Sequence, residues 1–169
     1  MTRAEATTPA PFVIVPAATT AEIAEIVLLF NAYAATLSFN LCFQDFEGEL
    51  AGLPGRYAPP EGALLLARDA NGLSIGCVAM RPLGEGIAEM KRLYVTPEGR
   101  GRGVGRALAA AAITAARAAG HREIRLDTLP EMSAAQALYR SFGFKEMPAY
   151  YETPVERTIF FRLEFATAG

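Results

Sequence analysis

Segment 95–107 constrains this chain more than any other: Val95-Thr96-Pro97-Glu98-Gly99-Arg100-Gly101-Arg102-Gly103-Val104-Gly105-Arg106-Ala107. Strand formers precede it. An alanine-rich helical pattern follows over 104–119, closed by Gly120 as a C-cap. A glycine turn that feeds a helix leaves several N–H groups without partners. These carry partial positive charge and suit a phosphate or diphosphate. Gly101, Gly103 and Gly105 let the backbone approach a ligand unobstructed. Arg100, Arg102 and Arg106 add guanidinium donors. The plain alternative is a tight strand-to-helix connection, a wasteful use of glycine and arginine if nothing binds there.

Two familiar phosphate patterns fail. For G-x-G-x-x-G, counting from Gly101 places Arg106 where the third glycine belongs, and counting from Gly103 places Leu108 there. The nucleoside-triphosphate pattern needs Gly-Lys followed by Ser or Thr, and no such triplet occurs. What remains is R-x-x-G-x-G on Arg100, Gly103 and Gly105.

The rest of the chain predicts strands at 12–15, 63–67, 74–80, 88–95, 123–128 and 158–165. Asn71-Gly72 turns a hairpin between the second and third. Thr19 with Glu22 forms a capping box for a helix to about residue 35, with Ile23, Ile26, Val27 and Phe30 inward. A second helix is expected over 43–53, with Phe46 and Leu50 inward. A last helix is expected from Ser133, as its cap, to about 142. A hairpin followed by alternating strands and helices predicts one α/β (mixed α+β) domain over 11–166. Residues 1–10, rich in Thr, Ala and Pro, are expected to form a disordered tail.

Composition then excludes several classes. Half the residues are hydrophobic (51%) and 20% are charged, which supports a single sizeable core. A net charge of -2 and a pI near 5.5 give no general affinity for nucleic acid or anionic membranes. Cys42, Cys77 and His121 are too few for a disulfide framework or a Cys/His zinc site, so no metal is expected. The greasiest stretch, 107–119, carries Arg117 and is too short to span a bilayer. No secretory signal is visible in the first residues, and the expected location is the cytoplasm.

Arg100-Gly101-Arg102-Gly103-Val104-Gly105, preceded by Lys91-Arg92-Leu93-Tyr94-Val95, resembles the diphosphate-binding motif of the GNAT acetyltransferases. Downstream, Ala135-Gln136-Ala137-Leu138-Tyr139-Arg140-Ser141-Phe142-Gly143-Phe144 resembles that family's next motif. The likeness is densest from about 88 to 147. It implies a three-layer fold with a central mixed sheet of about six to seven strands flanked by helices. It also implies an N-acetyltransferase that uses acetyl-CoA as co-substrate and a primary amine, of a small molecule or amino-acid-like compound, as acceptor. Direct attack in a ternary complex is the implied mechanism.

In such a fold the strand before the glycine loop splays from its neighbour. Pantetheine then pairs along Leu93, Tyr94 and Val95, and the Leu93 N–H polarises the thioester carbonyl. Tyr139 matches the tyrosine that points at the coenzyme sulfur, where a phenol protonated at neutral pH can serve as acid. The other reading of Tyr139 is a tyrosine packed beside Leu138 with its hydroxyl in water. Many members carry an asparagine at the start of that helix; Ser133 stands near that place here. Glu89 opens the strand bordering the acceptor and is a candidate base, or equally a surface or ion-paired glutamate beside Lys91 and Arg92.

Acceptor entry is expected between 41–49 and 148–154. There, Asp45, Glu47 and Glu49 are a cation lure or a solvated face, and Tyr150-Tyr151 an aromatic wall or a packed turn. His121 is expected at the surface, and the strand at 158–165 is a possible homodimer edge. Two readings stand beside this one: a non-catalytic acyl-CoA sensor, and an acetyltransferase for protein N-termini or lysines.

Overall fold

The computed structural model describes residues 11–167, so the tail expected at 1–10 lies outside the described residues. In chain order the elements are β1 (Phe12–Pro16), α1 (Thr20–Ala35), α2 (Phe46–Ala51), β2 (Ala63–Asp69), β3 (Ser74–Gly84), β4 (Ile87–Val95), α3 (Val104–Ala118), β5 (Glu123–Thr128), α4 (Ser133–Ser141), β6 (Lys145–Met147) and β7 (Ile159–Glu164). The seven strands form one sheet in the order β1-β2-β3-β4-β5-β7-β6. Only the β4–β5 pair is parallel. Helices cover both faces, giving the three-layer α/β arrangement.

Two cores follow from the alternation of strand side chains. Val78, Met80, Ala88, Met90, Ile124, Leu126 and Phe161 face α3 and α4. Leu64, Leu66, Cys77 and Ala79 face α1 and α2. Ala109, Ala112 and Ala116 are fully buried, and such short side chains let α3 lie close on the sheet. Gly76 completes that fit, since a Cβ there would stand 2.9 Å from both the Leu108 side chain and the Tyr94 carbonyl.

The capping box opens α1 as expected: the Glu22 N–H donates to Thr19 Oγ1 at 3.2 Å, and the Thr19 N–H to Glu22 Oε2 at 2.9 Å. Its inward face is Ile26, Leu29 and Phe30, whereas Val27 is only half-buried. The helix expected over 43–53 is split. A 3₁₀ turn at Leu41–Gln44 ends on Asp45, which is left-handed (φ 54°), and α2 starts after it. Glycines 48 and 52 and Pro54 are poor helix formers, which keeps α2 short.

Two expectations are corrected, and one strand is added. Ser133 is not the cap of α4: Met132 holds that position without a side-chain cap bond, and Ser133 is the first helical residue. β6 was not foreseen, being only three residues long. The strand expected at 158–165 cannot offer a dimer edge as proposed, because β7 is paired on one side with β5 and on the other with β6. The sheet's edges are β1 and β6.

Candidate functional site

β4 and β5 pair only at Ile87–Glu123, Ala88–Ile124 and Glu89–Arg125. Beyond Glu89 the two strands part, so from Met90 onward β4 has no strand partner on that side. On its other side a bulge interrupts the ladder with β3: Cys77 faces Tyr94 and Ala79 faces Lys91, leaving Val78 opposite both Arg92 and Leu93. Arg92 takes a left-handed conformation (φ 60°), which is costly for a residue with a Cβ. Its surroundings hold it there. Cys77 Sγ donates to the Arg92 carbonyl at 3.3 Å. Arg92 Nε donates to Glu49 Oε2 at 3.0 Å, and its guanidinium lies 5.2 Å from the Phe46 ring centre. Gln44 Oε1 accepts from both Lys91 Nζ (3.0 Å) and Arg92 Nη2 (3.1 Å).

Past Val95, Thr96 ties the loop to β3 through its N–H and hydroxyl, both donating to the Ile75 carbonyl. Gly101 (φ 75°) and Gly103 (φ 78°) are left-handed, and a Cβ at either would meet nothing of the protein. Gly103 caps α3 with no side-chain hydrogen bond. The first N–H groups of α3 are therefore open to an anion. A groove alongside is lined by Leu93, Tyr94, Val95, Arg100, Gly105 and Ser133, with Met132, Ala135 and Leu138. The structure thus brings six of the expected coenzyme residues to one hollow. The others lie apart from its walls. Val104 is buried in the core, Gly101 and Gly103 form the exposed turn, and Arg102 is half-buried beside it. Arg106 turns to α4, donating to Ser141 Oγ at 2.9 Å and stacking on Phe142.

The parting of β4 and β5 opens a second hollow. Its walls include Tyr33 of α1, Lys91, Arg92 and Leu93 of β4, Asp127 and Thr128 of β5, Tyr139 of α4, and Tyr151. Leu93, Met132 and Ala135 belong to both hollows, which meet there. Tyr139 is 6% exposed and packs edge-on against Phe144. Burial raises its phenol well above the ordinary value, so it stays protonated at neutral pH.

Glu89 is 2% exposed and does not line the cleft. Its Oε1 accepts from Arg81, 2.8 Å at the closest nitrogen, and Tyr150 Oη donates to its Oε2 at 2.7 Å. Burial pushes its carboxyl up, but Lys91 and Arg81 with the Tyr150 bond outweigh this and the net direction is down. Lys91, 4.0 Å from Glu89, is lowered, by burial first. Of the expected alternatives for Glu89, the structure displays the ion pair.

Asp127 was not foreseen, though an aspartate inside a strand, a place its type disfavours, was a signal. Its carboxylate accepts from the Tyr151 hydroxyl. Tyr150 and Tyr151 are therefore more than a wall: each ties a carboxylate on the sheet. Glu49 is no free cation lure, being paired with Arg92 and accepting from Tyr57 Oη at 2.6 Å. His121 is half-buried, its Nε2 3.0 Å from the Glu61 carbonyl. Cys77 is fully buried, its thiol pushed up to about 12 by burial. Among the described residues, no group of three His, Cys, Asp or Glu could hold a metal ion, and no helix is long and apolar enough to cross a membrane.

Residues 60–146 match the family model described as an acetyltransferase (GNAT) domain. An uncharacterized N-acetyltransferase of Schizosaccharomyces pombe is 41% identical over 140 residues, 82% of this chain and 86% of that one. An aminoglycoside N(6')-acetyltransferase type 1 of Stenotrophomonas maltophilia is 33% identical, over 70% of this chain and 78% of its own. In fold, the chain superposes on yncA of Salmonella typhimurium, solved with its cofactor acetyl-CoA, with a TM-score of 0.72 at 22% identity, covering 92% of this chain and 95% of that one.

Proposed function

The chain belongs to the GNAT family of acetyltransferases, and from that premise we propose that it moves an acetyl group from acetyl-CoA to a primary amine of a small, amino-acid-like molecule. One observation carries this reading: the glycine-loop groove and the β4–β5 cleft meet at Leu93, on the unpaired edge of β4. The coenzyme diphosphate sits on the turn at Gly101 and Gly103 and the N-terminus of α3, with Arg100 beside it. The pantetheine arm runs along Leu93, Tyr94 and Val95, past Ser133. That delivers the thioester to the mouth of the cleft, where the Leu93 N–H polarises its carbonyl.

The acceptor nitrogen comes from the cleft and attacks directly. Tyr139, protonated at neutral pH, gives a proton to the departing sulfur. Cys77 offers no covalent route, since it is buried with a thiol that stays protonated. Glu89 fits a positioning part: it fixes Arg81 and Tyr150 behind the acceptor space. The amine acceptor agrees with the N-acetyltransferase names of the relatives.

Thiol release from acetyl-CoA, followed across a panel of amino acids, polyamines, aminoglycosides and lysine peptides, tests the reading. Turnover is expected with one of the small amines. Release confined to peptides would move the acceptor to protein. Coenzyme binding with no turnover on any member would leave a sensor.

A further inference from the structure

We infer that Asp127 is the group that takes the proton from the acceptor ammonium. This rests on the acetyltransferase reading above. Among the described residues that line the cleft, Asp127 is the sole carboxylate. It stands two residues beyond the last β4–β5 pair, where the strands have parted. The Tyr151 hydroxyl occupies Oδ2 and so fixes the carboxylate's orientation. Asp127 is half-buried and within the cleft, whereas Glu89 is sealed behind Arg81 and Tyr150.

The charged and titratable groups around Asp127 come from every packed element. They are Lys91 and Arg92 on β4, Tyr33 on α1, Tyr139 on α4, and Tyr150 and Tyr151 on the loop before β7. Burial raises the phenols of Tyr33, Tyr139, Tyr150 and Tyr151, and the negative charge of Asp127 adds to each. The acid and the carboxylate thus share one space.

The step balances as follows. The acceptor enters as an ammonium, and one of its protons passes to Asp127. The freed nitrogen pair forms the C–N bond while the C–S bond breaks. Tyr139 gives its proton to the leaving sulfur and is refilled by the proton that nitrogen sheds on becoming an amide. The proton on Asp127 leaves to water.

Asp127→Asn keeps an oxygen for the Tyr151 hydroxyl and tests this on the fastest amine found for the unaltered protein. At pH 7, kcat/KM is expected to fall about 100-fold, with unchanged coenzyme affinity. The deficit should narrow as pH rises and more amine is already free. In Asp127→Ala, added formate should restore part of the rate, an effect that a merely structural loss would not give. An Asn variant within about threefold of the parent at every pH, well short of what a general base supplies, overturns the assignment and leaves the acetyltransferase reading intact. So does a loss that neither varies with pH nor responds to formate. If the parent protein turns over no amine at all, both fall together.

Discussion

At the scale of single residues, the phenol of Tyr139 illustrates how packing prepares a group for chemistry. Its ring is wedged by Phe144 and Phe161, at centroid distances of 5.7 and 6.3 Å, so the hydroxyl is presented from a fixed base. Tyr139→Phe keeps those ring contacts and removes only the acid. Turnover should fall by about 100-fold while coenzyme affinity, read by calorimetry, stays put. An undiminished kcat would take the acid role away from Tyr139. This residue was legible because it lies in a local motif a fixed distance from the glycine loop. The surroundings of Glu89 were legible only in part: Lys91 stands two residues away, whereas Arg81 joins it through the pairing of β3 with β4 and Tyr150 from 61 residues along the chain. Asp127 offered one local signal, an aspartate inside a strand, but the cleft that gives it a role forms only where β4 and β5 part.

At the scale of elements, the turn into α3 depends on backbone alone. Gly103→Glu puts a Cβ on a left-handed residue and a carboxylate where the diphosphate would lie. Like-charge contact costs several kcal/mol, so coenzyme affinity should drop by about two orders of magnitude or more. The far-UV circular dichroism should be retained, since no protein atom is in the way. Unaltered affinity would remove the loop from the coenzyme site. The elements themselves were mostly readable. The capping box, the Asn71-Gly72 hairpin and the apolar rows of α3 are short-range signals, and they place α1, β2, β3 and α3 within a residue or two, except that β3 runs on to Gly84. Failures fall where tertiary contacts override local preference. Arg92 is bulged by the fit of β3 to β4, α2 is cut short around Asp45, and β6 exists only because β7 lies beside it.

At the scale of the whole molecule, a buried charge cluster links β3, β4 and the segment before β7. Glu89, Arg81, Lys91 and Tyr150 are drawn from all three. The Glu89 carboxyl is held below its ordinary value of 4.5 in the folded protein. Its contribution to stability is therefore complete above about 4.5 and drains away as pH falls through the depressed folded value. Glu89→Gln should lose about 3 kcal/mol at neutral pH, because Arg81 and Lys91 are left without their partner. The two proteins' denaturation midpoints should converge in acid, and a gap that persists there would show that packing, not charge, was lost. The bared edge at Leu93 carries a kinetic corollary. With a hollow opening on each flank of one backbone, donor and acceptor need not queue for a single doorway, nor must the spent carrier depart before the second reactant arrives. Reciprocal plots of initial rate at several fixed donor levels should therefore cross instead of running parallel.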